Sequence, residues 1–163
     1  MLCFSKMQTI TRKFLVKDIP DLSHQKAIQN NRFYLFISEG LVIRVQNNGD
    51  TYEIERKVDI SELIREKHKI EISKEEFEAL SNLTNKNISR DSYLISEKPR
   101  VTLKIYHNNF EGLVRAEVSF DSIEEAQNFK PLDWFNKEIT NSPLAKDETL
   151  SNLSIEEFRK LLI

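Results

Sequence analysis

In the run Glu53-Ile54-Glu55-Arg56-Lys57, two carboxylates and an ammonium fall at every second position, so an extended chain presents all three on one face. Acids so placed can pair with neighbouring cations or supply oxygen ligands to a hard dication such as Mg²⁺ or Mn²⁺. The same spacing relates Arg65, Lys67, Lys69 and Glu71, then Arg44 and Gln46, Thr102 and Lys104, and Arg115 and Glu117. Apolar residues hold the alternate positions: Leu41, Ile43 and Val45; Val101, Leu103 and Ile105; Ile70 and Ile72. A charged outer face is the ordinary arrangement of a half-buried strand, so these sets become a site only if they turn inward.

Other chemistry is thinly represented. His24, His68 and His107 lie in separate segments with no i, i+4 pair to hold zinc. There is no G-x-x-x-x-G-K phosphate loop and no G-x-S-x-G nucleophile turn. Cys3, the single cysteine, can form no internal disulfide and has no Cys or His partner at zinc spacing. It reads as inert packing in a reducing compartment.

These residues must be positioned by one domain. A chain of 163 residues, 39% hydrophobic, can bury a single core. The expected span is 1–163, with a barrel and its insertions over 7–153 and a C-terminal helix over 154–163. A net charge of −2 argues against a general affinity for nucleic acid or anionic membrane, so any basic site must be local. No run of about 18 apolar residues could span a bilayer. The opening MLCFSKMQTITRK lacks the apolar core of a secretory signal, and a cytoplasmic location is the expectation.

Period-2 alternation predicts eight strands, over 9–16, 33–37, 41–46, 52–57, 65–72, 88–95, 101–106 and 113–120. Asn47-Asn48-Gly49-Asp50 supplies a hairpin turn. Ser73 with Glu76, Ser122 with Glu125 and Ser154 with Glu157 fit the capping box of a helix start. Phe77, Leu80 and Leu83 then share one helical face, as do Phe158, Leu161 and Leu162, and both stripes read as core contacts. Trp134 and Phe135 read as packing that seats the C-terminal segment. The fold class is α+β, mostly β: an antiparallel barrel of eight strands with short helices packed outside.

The order of short motifs goes further. Thr9-Ile10-Thr11-Arg12-Lys13-Phe14-Leu15-Val16 precedes Ile19-Pro20-Asp21-Leu22; Tyr34-Leu35, Ile43-Arg44-Val45-Gln46 and Gly49 to Lys57 follow. Then come Arg65 to Ile72, Ile88 to Tyr93, Val101 to Tyr106, Gly112-Leu113-Val114-Arg115-Ala116-Glu117-Val118-Ser119, and Pro131 to Thr140. This succession, over nearly the whole chain, resembles the CYTH or triphosphate tunnel metalloenzyme family, which opens on E-I-E-R-K-F-L-V. The resemblance implies an eight-stranded antiparallel tunnel in which Arg and Lys hold a triphosphate while acids hold Mg²⁺ or Mn²⁺. Its members include inorganic, thiamine and RNA triphosphatases and class IV adenylyl cyclases. Their shared chemistry is in-line attack at phosphorus.

Against that pattern the acidic half is depleted. Thr9 and Thr11 replace the paired first-strand glutamates, Lys67 and Lys69 those of the R-x-E-x-E strand, and Thr102 and Lys104 the acids of W-E-V-D. Ser119 replaces the second glutamate of A-E-V-E, and Glu117 alone keeps its type. The basic half largely survives. Lys13, Arg44, Lys57, Arg65 and Arg90 stand where the resemblance places phosphate ligands, and Lys67, Lys69 and Lys104 add to them. Gln46, Ser92 and Leu144-Ala145 mark lost partners. Glu53 and Glu55 spell the opening signature literally, but their context is that of the fourth strand.

Three readings follow. In the first, a catalytically degenerate tunnel binds a triphosphate, nucleotide or other polyanion without metal, no cofactor is needed, and no residue is catalytic. In the second, the chain is a divergent Mg²⁺- or Mn²⁺-dependent triphosphatase with Glu53, Glu55 and Glu117 as replacement ligands, a cyclase being the lesser enzymatic option. In the third, the barrel is structural or binds a partner, its tunnel neutralised by internal lysine–glutamate pairs.

Overall fold

A computed structural model describes residues 5–163, so Cys3 lies outside the described residues. Eight antiparallel strands close a barrel: β1 (Ser5–Val16), β2 (Ile28–Ser38), β3 (Leu41–Asn48), β4 (Thr51–Asp59), β5 (Ile64–Ile72), β6 (Asn87–Glu97), β7 (Arg100–Tyr106) and β8 (Val114–Phe120). Their order is β5-β4-β3-β2-β6-β7-β8-β1, and pairing of β5 with β1 closes the ring. Closure leaves no open edge, which suits strands this regularly alternating. The β3–β4 hairpin turns at Gly49, whose φ of +62° is open to glycine at little cost.

A short ninth strand, β9 (Phe135–Glu138), extends the β5 edge of β1. It was not legible as a strand, because four residues carry too little alternation. Four short helices complete the fold: α1 (Lys74–Ser81), α2 (Ile123–Asn128), α3 (Asp147–Asn152) and α4 (Ile155–Leu162). Ser73 and Ser154 form full capping boxes, while Ser122 accepts from the Glu125 amide alone of that pair.

The apolar faces of the strands mostly look outward. Phe14, Val101, Ala116, Val118 and Phe135 make one buried cluster, covered by Phe129 and Trp134, which bears out the packing role of Trp134 and Phe135. Arg12 pins this cover, donating to Glu138 at 2.6 and 2.9 Å and to the carbonyls of Ala126 and Phe129.

A second cluster joins Tyr34, Val42, Ile88, Tyr106 and Leu113 of the barrel to Ile139, Leu144, Leu150 and Phe158. By register these barrel residues lie at the end where β2 finishes and β3 begins, so the C-terminal segment closes that end.

Two stripes need correction. Leu83 is 74% exposed and Leu161 40% exposed, although both were read as core. Helix α1 covers the sheet through Phe77, whose ring meets Phe33 and Tyr52, and through the half-buried Leu80, while Leu83 lies past the end of the helix. The expectation that all helices lie outside also needs refinement, because α3 sends its first two side chains inward.

Candidate functional site

Alternation decides what enters the lumen. Thr9, Thr11 and Lys13 of β1 share a face, and antiparallel register sets Thr9 opposite Arg65 and Lys13 opposite Glu117. Around the ring the lumen is lined by Arg32, Arg44, Lys57, Lys67, Lys104 and Arg115 in addition, with Lys146, Asp147 and Glu148 from the C-terminal segment. Nine cationic side chains thus meet three carboxylates. Arg90, 1% exposed, and Lys69 extend the set through their contacts with Asp147, Glu53 and Glu55. All eight predicted phosphate ligands are therefore brought to one inner wall or its immediate partners.

That wall is not empty of counter-charge. Arg44 Nη2 donates to Glu55 at 2.6 Å, Lys57 Nζ to Glu148 at 2.6 Å, and Lys104 Nζ to Glu117 at 2.5 Å. Lys69 lies 3.0 Å from Glu53 and 3.6 Å from Glu55. Glu53 also accepts from Gln46 and Asn48. So Glu53 and Glu55 do turn inward, on β4, and there they meet lysine and arginine.

Lys13 gives its Nζ to the Ala145 carbonyl at 2.6 Å, and Arg65 donates to Thr11 at 3.3 Å with Asp59 3.4 Å away. Among the described residues Lys67 alone of the eight has no hydrogen-bond or ion-pair partner.

Two acids that sequence reasoning missed hold the centre. Asp147 accepts from Tyr106 Oη at 2.6 Å, Arg115 at 2.9 Å, Arg32 at 3.0 Å and Arg90 at 3.2 Å. Arg115 also lies over the Tyr106 ring, 5.1 Å from its centroid. The inward parity of Arg115 with Glu117 was visible in the sequence. Arg32 shares parity with Tyr34 and was missed because the strand was read from Phe33, five residues after β2 begins. Asp147 and Glu148 follow Pro143-Leu144-Ala145-Lys146 with no periodicity, so nothing marked them.

The electrostatics report a positive interior. Burial alone would raise every carboxyl here, yet Arg44, Lys67, Arg32 and Lys69 outweigh it at Glu55 and hold it at about 2. Glu148 is likewise held at about 2, chiefly by Lys57 against the cost of burial. Glu117 and Asp147 lie well below the usual carboxylate range, their cation neighbours overcoming burial.

Lysines move down in parallel. Burial, with the surrounding cations, pushes Lys13 and Lys104 well below their ordinary value, and Lys57 is lowered for the same reasons. At Lys67, burial and Arg44 outweigh Glu55 and Glu117 and bring it down to about 8. The Lys57–Glu148 pair shows the asymmetry plainly: the field favours the carboxylate and disfavours its ammonium.

The donor set does not suit a divalent ion. Threonine hydroxyls, a serine and three lysines stand where the resemblance places carboxylates, and Glu117 has Lys104, Arg115 and Lys13 within 3.9 Å. Among the described residues no group of three or more His, Cys, Asp or Glu side chains is placed to hold a metal. Glu117 thus does not join Glu53 and Glu55 in one cluster. Both Glu55 and Glu117 act instead to favour the charged form of Lys67.

Fold and lumen together define a class, an antiparallel barrel with a cation-lined tunnel. The chain is 28% identical over 149 residues to the inorganic triphosphatase of Nitrosomonas europaea, a match spanning 89% of this chain and 97% of that one. The crystal structure of the inorganic triphosphatase NE1496 superposes with a TM-score of 0.70 at 25% identity, covering 90% of this chain and 95% of that chain. A conserved hypothetical protein from Pyrococcus furiosus shares the fold at a TM-score of 0.57 and 15% identity, covering 94% and 99%. No family model matches the chain. In sequence and in fold the chain is thus similar to an inorganic triphosphatase, in keeping with the resemblance of its motifs to the CYTH, or triphosphate tunnel, family.

Proposed function

We propose that this protein takes up a phosphate-rich anion, a triphosphate, nucleotide or related polyanion, in its tunnel without a metal ion, and does not hydrolyse it. The observation that carries this reading is the excess of cations in the lumen, where nine line the cavity with Glu117, Asp147 and Glu148 and still outnumber the acids when Glu53, Glu55 and Asp59 beside them are added, on a fold whose relative is an inorganic triphosphatase. Ammonium and guanidinium groups make charge-assisted bonds to phosphate oxygens with no bridging dication.

The surplus is chemically unspent. Lys67 has no hydrogen-bond or ion-pair partner among the described residues, and Thr9 Oγ1 and the Nε atoms of Arg32, Arg44 and Arg115 are buried without a hydrogen-bond partner. Phosphate oxygens would supply the missing acceptors, and a nearby anion would restore the lowered basicity of Lys13, Lys67 and Lys104. Sensing, sequestration or regulation is the role that suits such a binder.

Two other readings have an observation each in their favour. The name of the Nitrosomonas relative favours a metal-dependent triphosphatase. The ion pairs Arg44–Glu55, Lys57–Glu148, Lys104–Glu117 and Lys69–Glu53 favour a self-neutralised scaffold. One assay separates the three: melting temperature and released phosphate are followed with inorganic triphosphate or ATP in EDTA, Mg²⁺ or Mn²⁺. Stabilisation in EDTA without turnover is the expected result. Phosphate release that needs the metal supports the enzyme and refutes the proposal; no response to any combination leaves the scaffold.

A further inference from the structure

The residual cavity in the lumen is about 30 Å³, water-sized rather than triphosphate-sized. What fills the rest is the chain itself. Over five consecutive residues the Leu144 and Ala145 carbonyls and the Asp147 and Glu148 carboxylates accept from Arg115, Lys13, Lys57, Arg32 and Arg90. A row of negative oxygens laid along a cationic wall has the chemistry of a short polyphosphate. Three of the five cations so engaged, Lys13, Lys57 and Arg90, are among those assigned above to the ligand.

We propose that residues 144–148 are a built-in occupant of the tunnel, and that a polyanion binds by exchanging with them; this rests on the anion-binding reading above. The segment is suited to exchange. Helix α3 has six residues, and no side chain caps its N-terminus. So short a helix has little stability of its own and is held by what its side chains touch. One of the two Glu148 oxygens, Oε2, has no partner, so that the acid is held through a single contact.

Segment 144–148 also follows Pro143 and precedes α4, whose Phe158 is seated against the barrel through Phe110. For the stretch to lift, Leu144 must leave its seat in the barrel-end cluster with it, while Phe158 beyond stays anchored. Occupancy by the segment lowers apparent affinity for any anion by the fraction of molecules in which it is displaced.

Hydrogen exchange on the wild-type chain, read by mass spectrometry in EDTA with and without saturating inorganic triphosphate, tests this directly. Amides of residues 144–152 are expected to exchange faster when the anion is bound, while those of β3 and β4 are slowed or unchanged. A double variant, Asp147→Asn with Glu148→Gln, is expected to bind triphosphate about tenfold more tightly in calorimetry.

Binding by the wild type with 144–152 equally or better protected refutes exchange and leaves anion binding standing. An unchanged or weaker affinity in a folded double variant also refutes it. If neither protein binds triphosphate, both this inference and the proposed function fall. Should the double variant not fold, the wild-type exchange pattern decides alone.

Discussion

Lys67 shows what the lumen asks of a single residue. With its value brought down to about 8 from an ordinary 10.5, keeping it protonated at neutral pH costs the fold on the order of 3 kcal/mol. Substituting Lys67→Met should therefore raise the melting temperature by several degrees, while weakening anion binding about tenfold. A lower melting temperature would show that the ammonium is stabilising.

The sign of the pH effect follows. Between about 8 and 10.5 the unfolded chain holds this proton and the folded chain does not, so the Lys67 contribution improves as pH rises through that window. The proposed anion binding should run the other way, because it would need the ammonium. Affinity for sulfate, whose charge is constant, should fall several-fold between pH 7 and pH 9.5 in calorimetry, and fall less in Lys67→Met. The direction of Lys67, like that of Arg44 and Lys104, was legible from two-residue spacing once the charged face was taken as inward. That Lys67 lacks a partner was not, since pairing depends on acids contributed from distant segments.

At the scale of elements, α3 and the barrel end depend on each other. Asp147 anchors α3 through three arginines and a tyrosine at 1% side-chain exposure, so Asp147→Ala leaves buried cations unpaired and should cost about 3–5 kcal/mol in denaturant unfolding. Phe158→Ala removes the ring that stacks edge-on against Phe110 at 5.2 Å, with an expected cost of about 3–5 kcal/mol. A loss under 1 kcal/mol in either would mean that the C-terminal segment is not seated on the barrel as described.

The eight barrel strands could be read from alternation because apolar residues dominate one face of most of them and charged residues the other, with Tyr34, Val42, Ile88 and Tyr106 joining the charged face where the barrel end is filled. The same alternation is silent about β9 and α3, which are four and six residues long and owe their form to what they pack against. Capping boxes placed the helix starts at Ser73 and Ser154, yet propensity could not tell that Leu83 lies beyond the sheet's cover.

Over the whole molecule, charge is sorted between inside and outside. The overall charge is −2, but the lumen holds an excess of cations, so the remainder of the chain is more negative than that total implies. Acid should undo this arrangement. Glu55 and Glu148, held at about 2, stabilise the fold above their ordinary 4.5 and lose that contribution as pH falls toward 2, on the order of 3 kcal/mol each; Glu117 and Asp147 act in the same direction. Melting temperature should stay level down to about pH 5 and then drop steeply toward pH 2. A melting temperature unchanged at pH 3 would deny the internal ion pairs their role.

In the proposed function the cationic lumen receives an anion with no metal between. Calorimetric titration of inorganic triphosphate into the chain in EDTA, repeated with Mn²⁺, tests it most directly. Saturable one-to-one binding that is equally tight in both buffers is predicted. Binding that appears only when Mn²⁺ is present would contradict the claim.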